Sequence, residues 1–180
     1  AVIFHEIEHK PGWRKTRHLP LSSNLLKDSP HKRGEEEQMA KVAFLGLGVM
    51  GFPMARHLHQ TGFSTHVYNR TIDKAQHWIN EQNLDSSHLH VQVASAVKYA
   101  NVVCMCLGND NDVRSVFYGE NGVLENMPSG SVLIDHTTGS QTLALELHMA
   151  CAQKGIGFID APVSGGQAGA ENGQLTIMCG

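Results

Sequence analysis

The chain has 180 residues, hydrophobic residues make up 41% of it, and its formal charge at pH 7 is -3. That length suits one substantial domain with a real hydrophobic core, plus a tail, and is too short for two full domains. Without a basic excess the chain is not expected to bind nucleic acid, and no apolar run approaches the roughly 18 residues needed to span a bilayer, which leaves small molecules as the expected partners.

Residues 1–38 hold seven of the 14 Lys and Arg and three of the six prolines, with no sustained period of 2 or 3.6. They are expected to be disordered or non-native. A basic arm is the alternative, but Glu6, Glu8, Asp28, Glu35, Glu36 and Glu37 nearly cancel the charge. Met39, directly before an apolar run, reads as the natural start of the protein.

From there the chain alternates between strand-like and helix-like runs. A strand is expected over 42–45, then a glycine-rich turn into a helix with Pro53 in its first turn, Met54 and Leu58 on one face, and Gly62 beyond its end. A second strand covers 65–68, and Thr71 then caps a helix whose Ile72, Ala75 and Ile79 point one way. A weaker strand is expected over 91–94, a short helix over 95–100, a buried strand over 102–107 and a helix over 110–117. Next come a strand over 132–135 and a helix over 140–154 carrying Leu143, Leu147 and Ala150 and stopped by Gly155. Phe158 and Ile159 begin another strand, and 175–178 form a last one. Such βαβ repetition predicts an α/β fold, a parallel sheet covered by helices on both faces.

Gly46, Leu47, Gly48, Val49, Met50 and Gly51 form a G-x-G-x-x-G run between the first strand and the first helix. The first glycine suits a tight turn, the second lets backbone approach a pyrophosphate, and the third permits close helix packing. Free N–H groups and the helix dipole then hold the phosphates. An isolated run of this kind is a weak signal that also describes an ordinary glycine turn; its place in a repeating α/β chain favours dinucleotide binding. NAD sites usually carry an acid at the end of the second strand, where this chain has Asn69, Arg70 and Thr71. Arg70 and Thr71 suit a 2′-phosphate, so NADP(H) is the preferred cofactor and NAD(H) a possible one. The alternative is a solvated arginine beside a helix cap.

The four cysteines, Cys104, Cys106, Cys151 and Cys179, lie in apolar surroundings and are expected to be buried thiols, which suits a reducing cytoplasm. After the opening AVIF, His5, Glu6 and Glu8 follow at once, which argues against a secretory signal. Twelve histidines are scattered along the chain, and no metal site is expected: His57 and His59 are two apart on a helix, and His88 and His90 lack a third ligand nearby.

The run VAFLGLGVMGFPMAR over 42–56 resembles the opening of the β-hydroxyacid dehydrogenases, in particular 3-hydroxyisobutyrate dehydrogenase and related semialdehyde reductases. FIDAPVSGGQAGAENGQLTIMCG over 158–180 contains a D-A-P-V-S-G-G core similar to that family's substrate signature, and Asp135, His136, Thr137 and Thr138 resemble its D-x-S-T element. The resemblance covers 39–180 and implies a Rossmann-type doubly wound sheet in an NADP-binding domain. It implies that Gly46 to Gly51 bind pyrophosphate, that Asn69, Arg70 and Thr71 bind the adenosine end, and that Leu107, Gly108 and Asn109 border the cofactor. Thr138 would lie near the nicotinamide. Relatives often have proline where Gly108 stands, which implies a looser loop here. Ser164, Gly165 and Gly166 match the segment that grips a small carboxylate substrate, although Ser-Gly-Gly taken alone is a flexible turn.

The implied activity interconverts a small 3-hydroxy acid and its semialdehyde by hydride transfer. The family's catalytic lysine stands in a G-x-x-x-K-x-x-x-N pattern in an all-helical C-terminal domain; this sequence has no such pattern, and Lys98 and Lys154 belong to helices of the nucleotide domain. No catalytic residue is therefore expected in this chain, and the lysine is expected beyond Gly180, which falls inside what resembles the family's T-I-M-x-G-G strand. The chain is expected to bind NADP(H) without turning over substrate, and the full-length protein is expected to be a homo-oligomer. Two other readings stand beside this one: a non-catalytic dinucleotide-binding or interaction module, and a decarboxylating enzyme similar to 6-phosphogluconate dehydrogenase. The sequence does not choose among 3-hydroxyisobutyrate, glycerate, succinic semialdehyde and glyoxylate.

Overall fold

Short apolar strands with both faces buried build the centre of the domain. In the computed structural model, which describes residues 40–180, β1 (Lys41–Leu45) is followed by α1 (Gly51–Gln60), β2 (Ser64–Tyr68) and α2 (Ile72–Glu81). A 3-10 turn at Ser86–His88 leads to β3 (Leu89–His90), α3 (Val93–Val97), β4 (Val102–Met105), α4 (Asp110–Tyr118) and α5 (Val123–Asn126). Then come β5 (Val132–Asp135), α6 (Gln141–Gln153), β6 (Gly157–Asp160), β7 (Val163–Ser164), α7 (Gly166–Glu171) and β8 (Thr176–Ile177). The expectations for 1–38 and for Met39 lie outside the described residues.

Six strands pair in the order β3-β2-β1-β4-β5-β6, every pair parallel. This is the doubly wound Rossmann order, with the chain reversing direction between β1 and β4; ligands of such sheets bind at that switch point, beyond the carboxyl ends of the strands. The two faces carry separate cores. Ala43 and Leu45 of β1 join Val103, Met105, Phe117, Leu143 and Leu147 on one side. Val42 and Phe44, alternate residues of the same strand, join Val67, Trp78 and Ile79 on the other. Trp78 is fully buried, and its indole N–H donates to the Phe52 carbonyl at 3.2 Å, so the largest core side chain leaves no unpaired donor.

Local departures from expectation have local causes. The edge strand is Leu89–His90 rather than 91–94, because Val91 is exposed while Ala96 and Val97 pack into the core and draw the following residues into α3. The strand expected over 102–107 ends at Met105. On α2 the buried residues are Ala75, Trp78 and Ile79, with Ile72 exposed, and on α6 Cys151 takes the buried place expected of Ala150. Thr71 occupies the N-cap position of α2, yet its hydroxyl makes no capping bond. The last strand does not join the parallel sheet: β8 pairs antiparallel with β7, Ser164 facing Thr176. β8 covers only Thr176–Ile177, but its antiparallel register continues: Met178 N–H donates to the Pro162 carbonyl at 3.0 Å and Gly180 N–H to the Asp160 carbonyl at 2.9 Å, while Pro162 has no N–H with which to return a bond. Cys104 and Cys151 are buried as expected, but Cys179 is exposed.

Candidate functional site: a dinucleotide cleft

The loops that leave β1, β2, β4 and β5 meet beyond the carboxyl ends of these strands, and they carry the candidate cofactor residues. The cradle is held by backbone and by Asn69. Gly46 N–H donates to the Tyr68 carbonyl at 3.0 Å, and Leu47 N–H donates to Asn69 Oδ1 at 2.8 Å, while Asn69 Nδ2 donates to the Thr71 carbonyl at 2.9 Å. Both ends of the Asn69 amide are thus engaged within the protein, and its visible role is to lock the cradle to the end of β2.

The three glycines differ in what demands them. Gly46 has φ +99°, and a Cβ there would run into the Cys106 carbonyl oxygen and Leu107 Cδ2; at Gly51 it would collide with the Gly46 carbonyl oxygen. Protein atoms therefore exclude side chains at the first and third positions. At Gly48 a Cβ would meet nothing within 4 Å. Gly48 and Val49 are exposed, and among the described residues the N–H groups of Gly48, Val49 and Met50 donate to no protein acceptor, while α1 begins directly after them. An open glycine and free N–H groups at a helix N-terminus fit a pyrophosphate.

The opposite wall comes from β4 and β5. Leu107 N–H donates to Thr137 Oγ1 at 3.0 Å, and Thr137 N–H donates to Asp135 Oδ1 at 2.9 Å, which braces the two loops against each other and leaves Thr138 exposed at the surface. Asn109 is the N-cap of α4: its Oδ1 accepts from Asn111 N–H at 2.9 Å and Asp112 N–H at 3.1 Å. Gly108 makes room for Asp112, whose Oδ2 would lie 2.7 Å from a Cβ at that position. The loop turns this carboxylate back over Gly108. Arg70 reaches the same carboxylate from β2, with Nη1 at 3.2 Å from Asp112 Oδ1, and its side chain is 85% exposed.

Ser164, Gly165 and Gly166 are exposed and lie at the junction of β7 and α7, with φ +134° at Gly165 and +62° at Gly166. The segment is tied to the cofactor side through α1. His57 Nε2 lies 3.0 Å from the Ala170 carbonyl and 3.1 Å from that of Glu171, and Arg56 Nη2 donates to the Glu171 carbonyl at 3.1 Å. Sequence reasoning misses these two residues because their partners are backbone atoms more than a hundred positions away.

Burial disqualifies the nearby thiols as nucleophiles: Cys104 is pushed up to about 12 and Cys106 to about 11. Burial also raises Asp135 and lowers His136, whose Nδ1 donates to the Ala161 carbonyl at 2.9 Å. Both serve to hold loops. Gly180 has no side chain to offer, and its visible contact is the backbone bond to Asp160. Among the described residues no group of three or more His, Cys, Asp or Glu is arranged to hold a metal ion, and no helix is long and apolar enough to cross a membrane.

The sheet order and the cradle define a Rossmann-type dinucleotide-binding domain. Residues 41–180 match the family model described as the NAD binding domain of 6-phosphogluconate dehydrogenase, and the chain belongs to that family, among oxidoreductases related to 3-hydroxyisobutyrate dehydrogenase. It is 49% identical over 142 residues to a protein of Shewanella frigidimarina described as an uncharacterized oxidoreductase, covering 79% of this chain and 48% of that one. The 3-hydroxyisobutyrate dehydrogenase of Mycobacterium tuberculosis, solved with L-serine, aligns with TM-score 0.72 and 32% identity over 79% of this chain and 46% of that one. A structure described as Psf3 in complex with NADP+ and 2-OPP aligns with TM-score 0.70 and 31% identity over 77% of this chain and 48% of that one. The chain spans about half the length of the curated relatives it matches.

Proposed function

We propose that this domain binds NADP(H) in preference to NAD(H), as the cofactor half of an oxidoreductase interconverting a small 3-hydroxy acid and its semialdehyde. The observation that carries the reading is the pairing of an open Gly48 cradle with Arg70, in place of a carboxylate, at the end of β2. When bound, the nicotinamide supplies hydride chemistry. The chain's own residues do the rest of what can be assigned to it. Gly48, Val49 and Met50 offer N–H groups to the pyrophosphate, and Arg70 offers a guanidinium to the 2′-phosphate. Thr138 borders the nicotinamide, and Ser164 with the backbone at Gly165 and Gly166 grips the substrate carboxylate, next to a helix that α1 holds in place. By resemblance the proton would be moved by a lysine in a G-x-x-x-K-x-x-x-N pattern, which this sequence does not contain. Among the described residues Lys154 is bonded to Glu125 and Lys98 lies over the Tyr99 ring, so neither serves the cleft.

The test is a pair of dissociation constants, NADPH and NADH, for the unaltered domain and for Arg70→Ala. A charge-assisted bond is worth about 1.5 to 3 kcal/mol, so a preference on the order of tenfold or more for NADPH is expected, and the substitution should remove most of it. Equal constants in the unaltered protein would refute the cofactor assignment. Reduction of a panel of small semialdehydes, compared between this chain and one of its relatives' full length, tests the substrate class.

A further inference from the structure

The Arg70–Asp112 ion pair joins the two segments that flank the cradle. Arg70 follows β2 and Asp112 lies in the first turn of α4, after β4; these strands are the two neighbours of β1. The acid is seated by more than its charge. Its Oδ2 accepts from Asn109 Nδ2 at 3.0 Å, its backbone N–H donates to Asn109 Oδ1 at 3.1 Å, and the missing side chain of Gly108 leaves the space it fills. The only ion-pair partner of the Arg70 guanidinium among the described residues is this carboxylate.

We propose that Asp112 is a specificity-determining residue: it holds Arg70 when no 2′-phosphate is present and competes with that phosphate for the guanidinium, so that it lowers the preference for NADP(H) below what Arg70 alone would give. The inference rests on the reading that Arg70 takes the 2′-phosphate. A carboxylate and a phosphate are both acceptors for the same guanidinium N–H groups, so a donor held by one is not free for the other. The pair is exposed and the acid is firmly seated, so the competition is modest and leaves Arg70 available.

The experiment measures NADPH and NADH dissociation constants for four proteins: unaltered, Asp112→Asn, Arg70→Ala and the double variant. Asparagine keeps an oxygen for Asn109 and removes the charge. The ratio of the NADH to the NADPH constant is used because a fraction of misfolded protein cancels from it, and Asp112→Ser provides a second neutral side chain. The ratio is expected to rise about two- to fivefold in Asp112→Asn and Asp112→Ser, the range set by an exposed ion pair, and to be unchanged by the Asp112 substitution once Arg70 is alanine. An unchanged or lower ratio in the single Asp112 variants overturns the proposal. An equal rise in the Arg70→Ala background also overturns it, because Asp112 would then repel the phosphate directly. If Arg70→Ala alone leaves the NADPH preference intact, it is the cofactor reading that fails, and the two failures are told apart within one data set.

Discussion

The hydroxyl of Thr137 accepts the backbone N–H of Leu107 at 3.0 Å across two adjacent strand ends, and this bond sets the spacing of the cleft wall. Thr137 is itself buried, and its own N–H is held by Asp135. Thr137→Val keeps the shape but leaves the Leu107 N–H without its partner, which costs about 1 to 3 kcal/mol. Urea unfolding should show that loss, with weaker NADPH binding, and Thr137→Ser should recover most of both. Stability within about 0.5 kcal/mol of the unaltered protein would mean the bond braces nothing.

What is legible in the sequence is what is decided locally. The glycine run between a strand and a helix announces itself because each glycine answers a requirement of the turn, and the βαβ alternation predicts the parallel sheet. Asn69 reads as a cofactor contact; its tie to Leu47 spans 22 residues and joins the ends of β1 and β2, and no periodicity reveals it. Gly108 reads as a source of slack; that it also leaves the space Asp112 fills is visible only once α4 is folded. The segment over 175–178 reads as a strand, but its antiparallel pairing with Val163–Ser164, outside the main sheet, is a contact between distant segments that no local pattern announces. The return of Gly180 to Asp160 is a backbone bond and leaves no mark on the residue types. The short helix Val123–Asn126 escapes a sequence reading because one turn has too few residues to show a period.

A second prediction concerns pH. Ser95 Oγ donates to the Gln92 carbonyl at 2.9 Å and so accepts from His90 Nδ1 at 3.1 Å, which leaves His90 Nε2 bare to accept from His66 Nδ1, also at 3.1 Å. Protonating His90 would set two N–H groups against each other. Burial, then the neighbouring His88, lowers both His66 and His90, and nearby Lys41 adds to the effect on His66. For groups lowered by folding, the stability is present above the unfolded value of 6.5 and is lost as pH falls through the folded values. The thermal midpoint is therefore expected to drop between about pH 7 and pH 5, and His66→Gln with His90→Gln should flatten that drop. His136, also lowered by burial, keeps part of the slope, while Asp135 and Asp160, raised by burial, oppose it at lower pH. The difference between variant and unaltered protein isolates the pair, and identical pH profiles would contradict the hydrogen-bond chain.

The cradle is closed by protein atoms at Gly51 and left open at Gly48. The direct measurement is NADPH affinity alongside the thermal midpoint for Gly48→Ala and Gly51→Ala. At Gly51 the new methyl group meets the Gly46 carbonyl oxygen and lies 3.1 Å from Phe44 Cε1, so the fold should lose about 1 to 3 kcal/mol or more. At Gly48 it meets no protein atom within 4 Å, so the midpoint should hold while NADPH binding weakens by roughly tenfold or more, because the methyl group stands where the pyrophosphate must approach. A Gly48→Ala protein that stays folded and binds NADPH as tightly as the unaltered domain would contradict the account.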